Sequence, residues 1–142
     1  MKILLEQKLR IRCFSLIDIP NIHSLKVLDC NGCNSLTHIP NIEGLKVLKC
    51  SLCCSLQSIP NIEGLKVLIC IGCKKLEYIS NIKNLEKLKF SCCRSLKSIP
   101  NIEGLKVLKC GGCNNLTSIP CIKGLNHLKC SNCKINKYPS DR

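Results

Sequence analysis

Fifteen of the 142 residues are cysteine, and ten of these stand in five Cys-x-x-Cys pairs: Cys30/Cys33, Cys50/Cys53, Cys70/Cys73, Cys110/Cys113 and Cys130/Cys133. Two such pairs can supply four thiolates to one zinc ion. The odd total argues against a complete disulfide framework. Three histidines, His23, His38 and His127, are the partners a cysteine nucleophile would need. No Gly-rich phosphate loop and no paired-carboxylate motif accompanies them.

The spacing of these residues has a simpler origin. Asn41–Cys50 reads NIEGLKVLKC, recurs almost letter for letter at Asn61 and Asn101, and has looser copies beginning at Asn21, Asn81 and Cys121. Self-similarity at a fixed twenty-residue period marks a solenoid. Each Cys-x-x-Cys pair then fills the sixth and ninth places of a unit, which are interior columns. Phe90 replaces the sixth-place cysteine of one unit, and a benzyl group fills a hydrophobic hole but cannot ligate a metal. A free cysteine buries as a small hydrophobe with a weak S–H donor suited to a turn carbonyl. The ninth-place column of Cys13, Cys33, Cys53, Cys73, Cys93, Cys113 and Cys133 is therefore read as structural, with no metal and no cofactor. Off-pattern Cys54, Cys92 and Cys121 are expected to be exposed and reactive. The three histidines occupy three different repeat positions, so no Cys–His constellation recurs and an enzyme is not expected.

Within the third unit the apolar positions are Leu45, Leu48, Cys50, Cys53, Leu56, Ile59 and Ile62. Leu48 and Cys50 alternate with Val47 and Lys49, the period-two pattern of a half-buried strand. Pro60 lacks an N–H and fixes φ near −65°, so the return leg is extended or polyproline-like rather than helical. Gly44, Gly64, Gly104 and Gly124 share a column with Ser24 and Asn84, predicting a sharp turn with positive φ. Residues 1–20 form a degraded first unit: Lys8 and Arg10 stand where apolar residues belong, and Leu9 and Ile11 sit one place later, predicting a strand with a one-residue slip or bulge. The column Asn21, Asn41, Asn61, Asn81 and Asn101 is expected to form an amide ladder over buried backbone groups. Glu43/Lys46, Glu63/Lys66 and Glu103/Lys106 are expected to compensate one another locally.

The block Leu-x-x-Leu-x-Cys-x-x-Cys-x-x-Leu-x-x-Ile-Pro resembles the leucine-rich repeat. The twenty-residue period with its Ile-Pro pair is similar to bacterial effector repeats, and the Cys-x-x-Leu-x-x-Ile-Pro half resembles repeats of plant intracellular immune receptors. Cysteine-rich arrays of this length also resemble those of giant viruses of amoebae, which is the resemblance we favour. It implies one solenoid domain over 1–142: a degraded unit at 1–20, regular units at 21–120, and a last unit with its tail at 121–142. The expected fold is a leucine-rich-repeat solenoid, with a parallel β-sheet on one face, extended return segments and little or no helix. It also implies a recognition scaffold.

The formal charge is +13, with Asn81–Pro100 and Cys121–Arg142 each at net +4 and Asn21–Pro40 neutral. Such a field favours acidic partners. One outward column runs Val27, Val47, Val67, Lys87, Val107, His127; the next runs Asp29, Lys49, Ile69, Lys89, Lys109, Lys129. Leu52, Val67, Ile69 and Ile71 are expected to project together as an apolar patch rimmed by Lys49, Lys89, Lys109 and Lys129, the pattern of a binding surface. The expected function is non-enzymatic binding of an acidic protein through this face. Nucleic-acid or polyanion binding is the alternative, though Phe14, Tyr78, Phe90 and Tyr138 are too scattered to build stacking platforms. Self-assembly through uncapped ends is the third. The N-terminal MKILLEQKLR lacks the apolar run of a secretory signal, and no stretch has transmembrane length. A reducing cytoplasm, possibly a host's, with no membrane partner is therefore expected.

Overall fold

The computed structural model describes residues 7–136; Tyr138 and the end of the tail expected within 121–142 lie outside them. Among the described residues nine strands follow one another: β1 (Lys8–Arg10), β2 (Val27–Asp29), β3 (Val47–Lys49), β4 (Ser58–Ile59), β5 (Val67–Ile71), β6 (Tyr78–Ile79), β7 (Lys87–Ser91), β8 (Val107–Gly111) and β9 (His127–Ser131). Seven form one parallel sheet in the order β1-β2-β3-β5-β7-β8-β9. The chain is a parallel-strand β-solenoid of coils about twenty residues long, and no helix occurs among the described residues.

The apolar columns explain the stacking. Leu45, Leu48, Cys50, Cys53, Leu56, Ile59 and Ile62 are all completely buried, as are their counterparts one coil further on. Leu48, Leu68 and Leu88 lie in register on adjacent strands. Burying such a column against its neighbours is what holds a solenoid together, because no coil has a core of its own.

The return side pairs as a sheet at one place only among the described residues, β4 against β6. The sequence gives the reason. The twentieth position is Pro20, Pro40, Pro60, Pro100 and Pro120, but Ser80 in the fourth unit. Proline has no N–H to donate. Ser80 has one, and it donates to the Ile59 carbonyl at 3.0 Å.

Both ends contract by one residue. Strand β1 sets Leu9 opposite Leu28, a spacing of nineteen, whereas β2 sets Leu28 opposite Leu48. The slip read from Leu9 and Ile11 is thus present, and Ile11 takes the sixth place. At the other end the Asn136 amide reaches Thr117 O, again nineteen residues back, where the interior Glu77 amide reaches Gln57 O.

Two turns per coil enter the left-handed region. The first holds Gly44 and Gly64 at φ +81° and, as the column predicts, Ser24 at +67° and Asn84 at +63°. The second was not anticipated: Leu52 stands at φ +59° and Cys92 at +54°, with Gly72 and Gly112 as their counterparts one coil on. A Cβ placed on Gly72 would lie 2.8 Å from Leu52 Cδ2. Leucine therefore lies over the bare turn of the next coil, where a side chain would push Leu52 aside and strain a backbone at φ +74°.

Two expectations are corrected. Asn21, Asn41, Asn61, Asn81 and Asn101 are exposed, so they do not cover buried backbone groups. Nor do Lys46, Lys66 and Lys106 turn back to Glu43, Glu63 and Glu103. The strand entry aims them along the stack instead. Lys46 Nζ donates to Gly64 O at 3.2 Å, and Lys66 to Asn84 O at 3.4 Å. Lys66 and Lys106 both approach the Glu86 carboxylate, at 3.3 and 3.8 Å.

Candidate functional site: the sheet face

Strand alternation decides what the sheet presents. In β5, Leu68 and Cys70 point inward while Val67, Ile69 and Ile71 remain half-buried on the outer face. The register aligns Lys49, Ile69, Lys89, Lys109 and Lys129 in one file across β3, β5, β7, β8 and β9. Adjacent members are about 4.8 Å apart at the backbone. Lys89 and Lys129 are exposed, and Lys49 and Lys109 half-buried. Lys87 stands opposite Val67 and Val107 in the neighbouring file. Leu52 stands in the turn after β3: it is 56% exposed, its amide donates to Ile71 O, and its side chain lies over Gly72 at the end of β5. The apolar members therefore occupy the centre of the sheet, with lysines beside and beyond them.

The N-terminal end of the same face has the opposite charge logic. Asp29 heads the lysine file but is only 3% exposed. The Arg12 guanidinium donates to its Oδ1 at 2.9 Å and its Oδ2 at 3.3 Å, and Arg10 Nε lies 3.3 Å away. The Arg12 hydrogen bond holds this carboxyl below its ordinary value. Asp29 thus belongs to the joint between β1 and β2. Its sequence signal was the coincidence of one acid in a lysine column with two arginines in an out-of-register strand.

The interior thiols form diagonal pairs between coils. Cys53 Sγ donates to Cys30 O at 3.2 Å, Cys73 to Cys50 O at 3.0 Å and Cys93 to Cys70 O at 3.1 Å. Cys33 reaches Ile11 O at 3.7 Å, as the one-residue slip requires. Of the ninth-place column, Cys33, Cys53, Cys73, Cys93 and Cys113 are buried, while Cys13 and Cys133 at the ends are half-buried. Hydrogen bonding from Cys93 and burial push the Cys70 thiol well up, and the Cys50 partner and burial push Cys73 up. Such thiols stay protonated and inert at neutral pH. Of the off-pattern cysteines, Cys92 and Cys121 are exposed, whereas Cys54 is half-buried with its thiol toward Leu52 O and Gly72 O. Cys110, Cys130 and Cys133 differ from all of these, with three sulfurs within 4.8 Å of one another.

His38 is the one histidine with side-chain partners among the described residues. Its Nε2 lies 3.0 Å from Asp18 Oδ1, and its Nδ1 lies 3.1 Å from Thr37 Oγ1. Both His38 and Asp18 are more than half exposed. An exposed site lacks the low-dielectric, preorganised surroundings that acyl-transfer chemistry draws on. A depression of about 410 Å³ along the turn edge is lined by Lys46, Glu63, Lys66 and Lys83 among others.

These features define a class, a basic and cysteine-rich parallel-strand β-solenoid with a mixed apolar and cationic sheet face. Comparison with protein-family models, curated proteins and solved structures finds no match.

Proposed function

We propose that the chain is a non-enzymatic binding module of the leucine-rich-repeat kind that takes an acidic protein surface on its sheet face. The repeat pattern and its resemblances support a viral recognition scaffold working in a reducing cytoplasm. The observation that carries this reading is the register. Ile69 lies in file with Lys49, Lys89, Lys109 and Lys129, and on β5 it stands between Val67 and Ile71. Like charges stacked at strand spacing repel and gain nothing for the fold. Leu52 adds a second argument, since left-handed backbone costs an ordinary residue about 1–2 kcal/mol. That cost holds a large apolar side chain out on the face. An acidic partner would be steered by the lysines and anchored on the apolar centre.

The test is to pan a random peptide display library against the immobilised full chain, with duplex DNA assayed in parallel. Enriched peptides should combine acidic residues with an apolar anchor. Ile69→Asp and Ile71→Asp should remove their binding. Charge reversal at Lys89, Lys109 and Lys129 should chiefly slow association, with an effect that fades as salt rises. If no such peptide enriches, and the chain instead binds DNA with a steep log-salt slope that only the lysine changes abolish, the nucleic-acid reading replaces this one.

A further inference from the structure

We propose that Cys110, Cys130 and Cys133 form a site for one soft cation, Zn²⁺ or Cu⁺, which clasps the last coil to the one before it. The site is independent of the sheet face and departs from the reading of every cysteine pair as core.

The geometry sets this trio apart. Cys110 lies in β8, Cys130 in β9, and Cys133 in the turn that follows, so the sulfurs come from two adjacent coils. All three lie within 4.8 Å of one another, the one such group of three among the described residues. In a tetrahedral zinc thiolate with Zn–S bonds near 2.3 Å, sulfurs sit about 3.8 Å apart. Closing the trio onto an ion therefore needs shifts of an ångström or less. The linear Cys-x-x-Cys spacing would have chosen Cys113 as a ligand. Cys113 is instead fully buried, outside the trio, with its thiol toward Gly111 O at 3.5 Å.

Access and hydrogen bonding point the same way. The interior diagonal pairs are sealed, and each ninth-place thiol there is committed to a carbonyl of the preceding coil. Cys133, like Cys113, has no such bond and donates within its own turn, to Ser131 O at 3.6 Å. Cys130 and Cys133 are half-buried, so an ion can reach them from solvent. Soft thiolates select Zn²⁺ and Cu⁺ over hard cations.

The last coil also has a deficit that an ion would offset. Leu108 is completely buried by its neighbours, but its counterpart Leu128 is 37% exposed. A cross-coil sulfur–metal clasp adds restraint between β8 and β9, where the buried apolar contacts of the described residues are fewest. Binding Zn²⁺ converts three S–H groups to three S–Zn bonds and releases three protons, with water in the fourth position and no change in oxidation state. Burial first, with neighbouring thiols, pushes Cys130 up to about 11, and burial also raises Cys110.

The full chain, reduced and stripped with chelator, is titrated with Co²⁺ as a zinc probe. One equivalent should give thiolate-to-cobalt charge-transfer absorption that Zn²⁺ bleaches. Calorimetry in two buffers should register about three protons released per ion. A parallel titration with Cu⁺ against a chromogenic chelator identifies which soft cation is held more tightly. Cys130→Ser and Cys133→Ser should abolish the band and the rise in melting temperature that Zn²⁺ gives the parent, whereas Cys121→Ser should retain both. Circular dichroism checks that the variants keep their strand signal, and the parent titration decides alone if they do not. No charge-transfer band from the parent at one equivalent, or a band that survives in the folded Cys130→Ser/Cys133→Ser double variant, overturns the proposal.

Discussion

Asp29 is the one charged side chain buried among the described residues, and its carboxylate holds β2 to the two arginines of the N-terminal segment. Its carboxyl is held below the ordinary 3.8, so its contribution is complete above that value and is lost as pH falls through the lower folded value. Arg10 and Arg12 are more than half exposed, which screens the pair. Asp29→Asn should therefore cost about 1–2 kcal/mol at pH 7. In urea unfolding the gap between parent and variant should shrink on acidification, and a gap unchanged down to pH 2 would contradict the assignment. The buried thiols act at the other end of the scale. Burial and the Cys93 bond raise Cys113, as burial and the Cys130 bond raise Cys110. Their stabilising effect is complete below the unfolded thiol value of 9.0 and falls as pH rises toward the folded values. Stability should decline above about pH 9 by up to ~1.4 kcal/mol per pH unit for each such thiol. Chemical-denaturation midpoints between pH 8 and 11 would show it.

A single coil is a strand, two turns and an extended return, and its stability lies in contacts with the next coil. Leu68 is completely buried between Leu48 and Leu88. Leu68→Ala should lower the unfolding free energy by about 2–5 kcal/mol. Leu68→Asp should yield no soluble folded protein, and a normal melting curve for it would show the register to be wrong. These columns were legible in the sequence because a period of twenty forces equivalent residues to stack, and the β1 slip was legible because Leu9 and Ile11 break that period. What escaped were contacts along the stack. Lys46 and Glu43 look paired three residues apart, but here the neighbour of Lys46 is the turn of the following coil. The second left-handed turn had a signal in Gly32, Gly72 and Gly112, which share its column, but Leu52 and Cys92 obscured it. The Cys110, Cys130 and Cys133 cluster was hidden because the same cysteine spacing recurs in coils where it makes only core.

Across the whole array, burial is uneven. Every inward position from Ile42 to Ile119 is buried, whereas in β9 Leu128 is exposed and Cys130 half-buried. At the other end, Leu9 in β1 is half-buried. Amide hydrogen exchange should be slowest between Asn41 and Pro120 and fastest in β1 and β9, because local opening costs least where buried contacts are fewest. Uniform protection in a proven monomer would contradict this. The sheet has no strand beyond β9 among the described residues. An open strand edge invites pairing with another chain, so any self-association should protect β1 or β9 first.

The one-residue contractions at the two ends carry a consequence for how such a chain changes length. Between them every coil repeats at twenty residues, with equivalent positions in register from β2 to β9. A twenty-residue unit gained or lost between them therefore keeps the strand register of the remaining coils, while the irregular first and last spacings keep their own neighbours. The width of the sheet face is therefore set by the number of coils, one strand to each, as much as by the residues those strands carry.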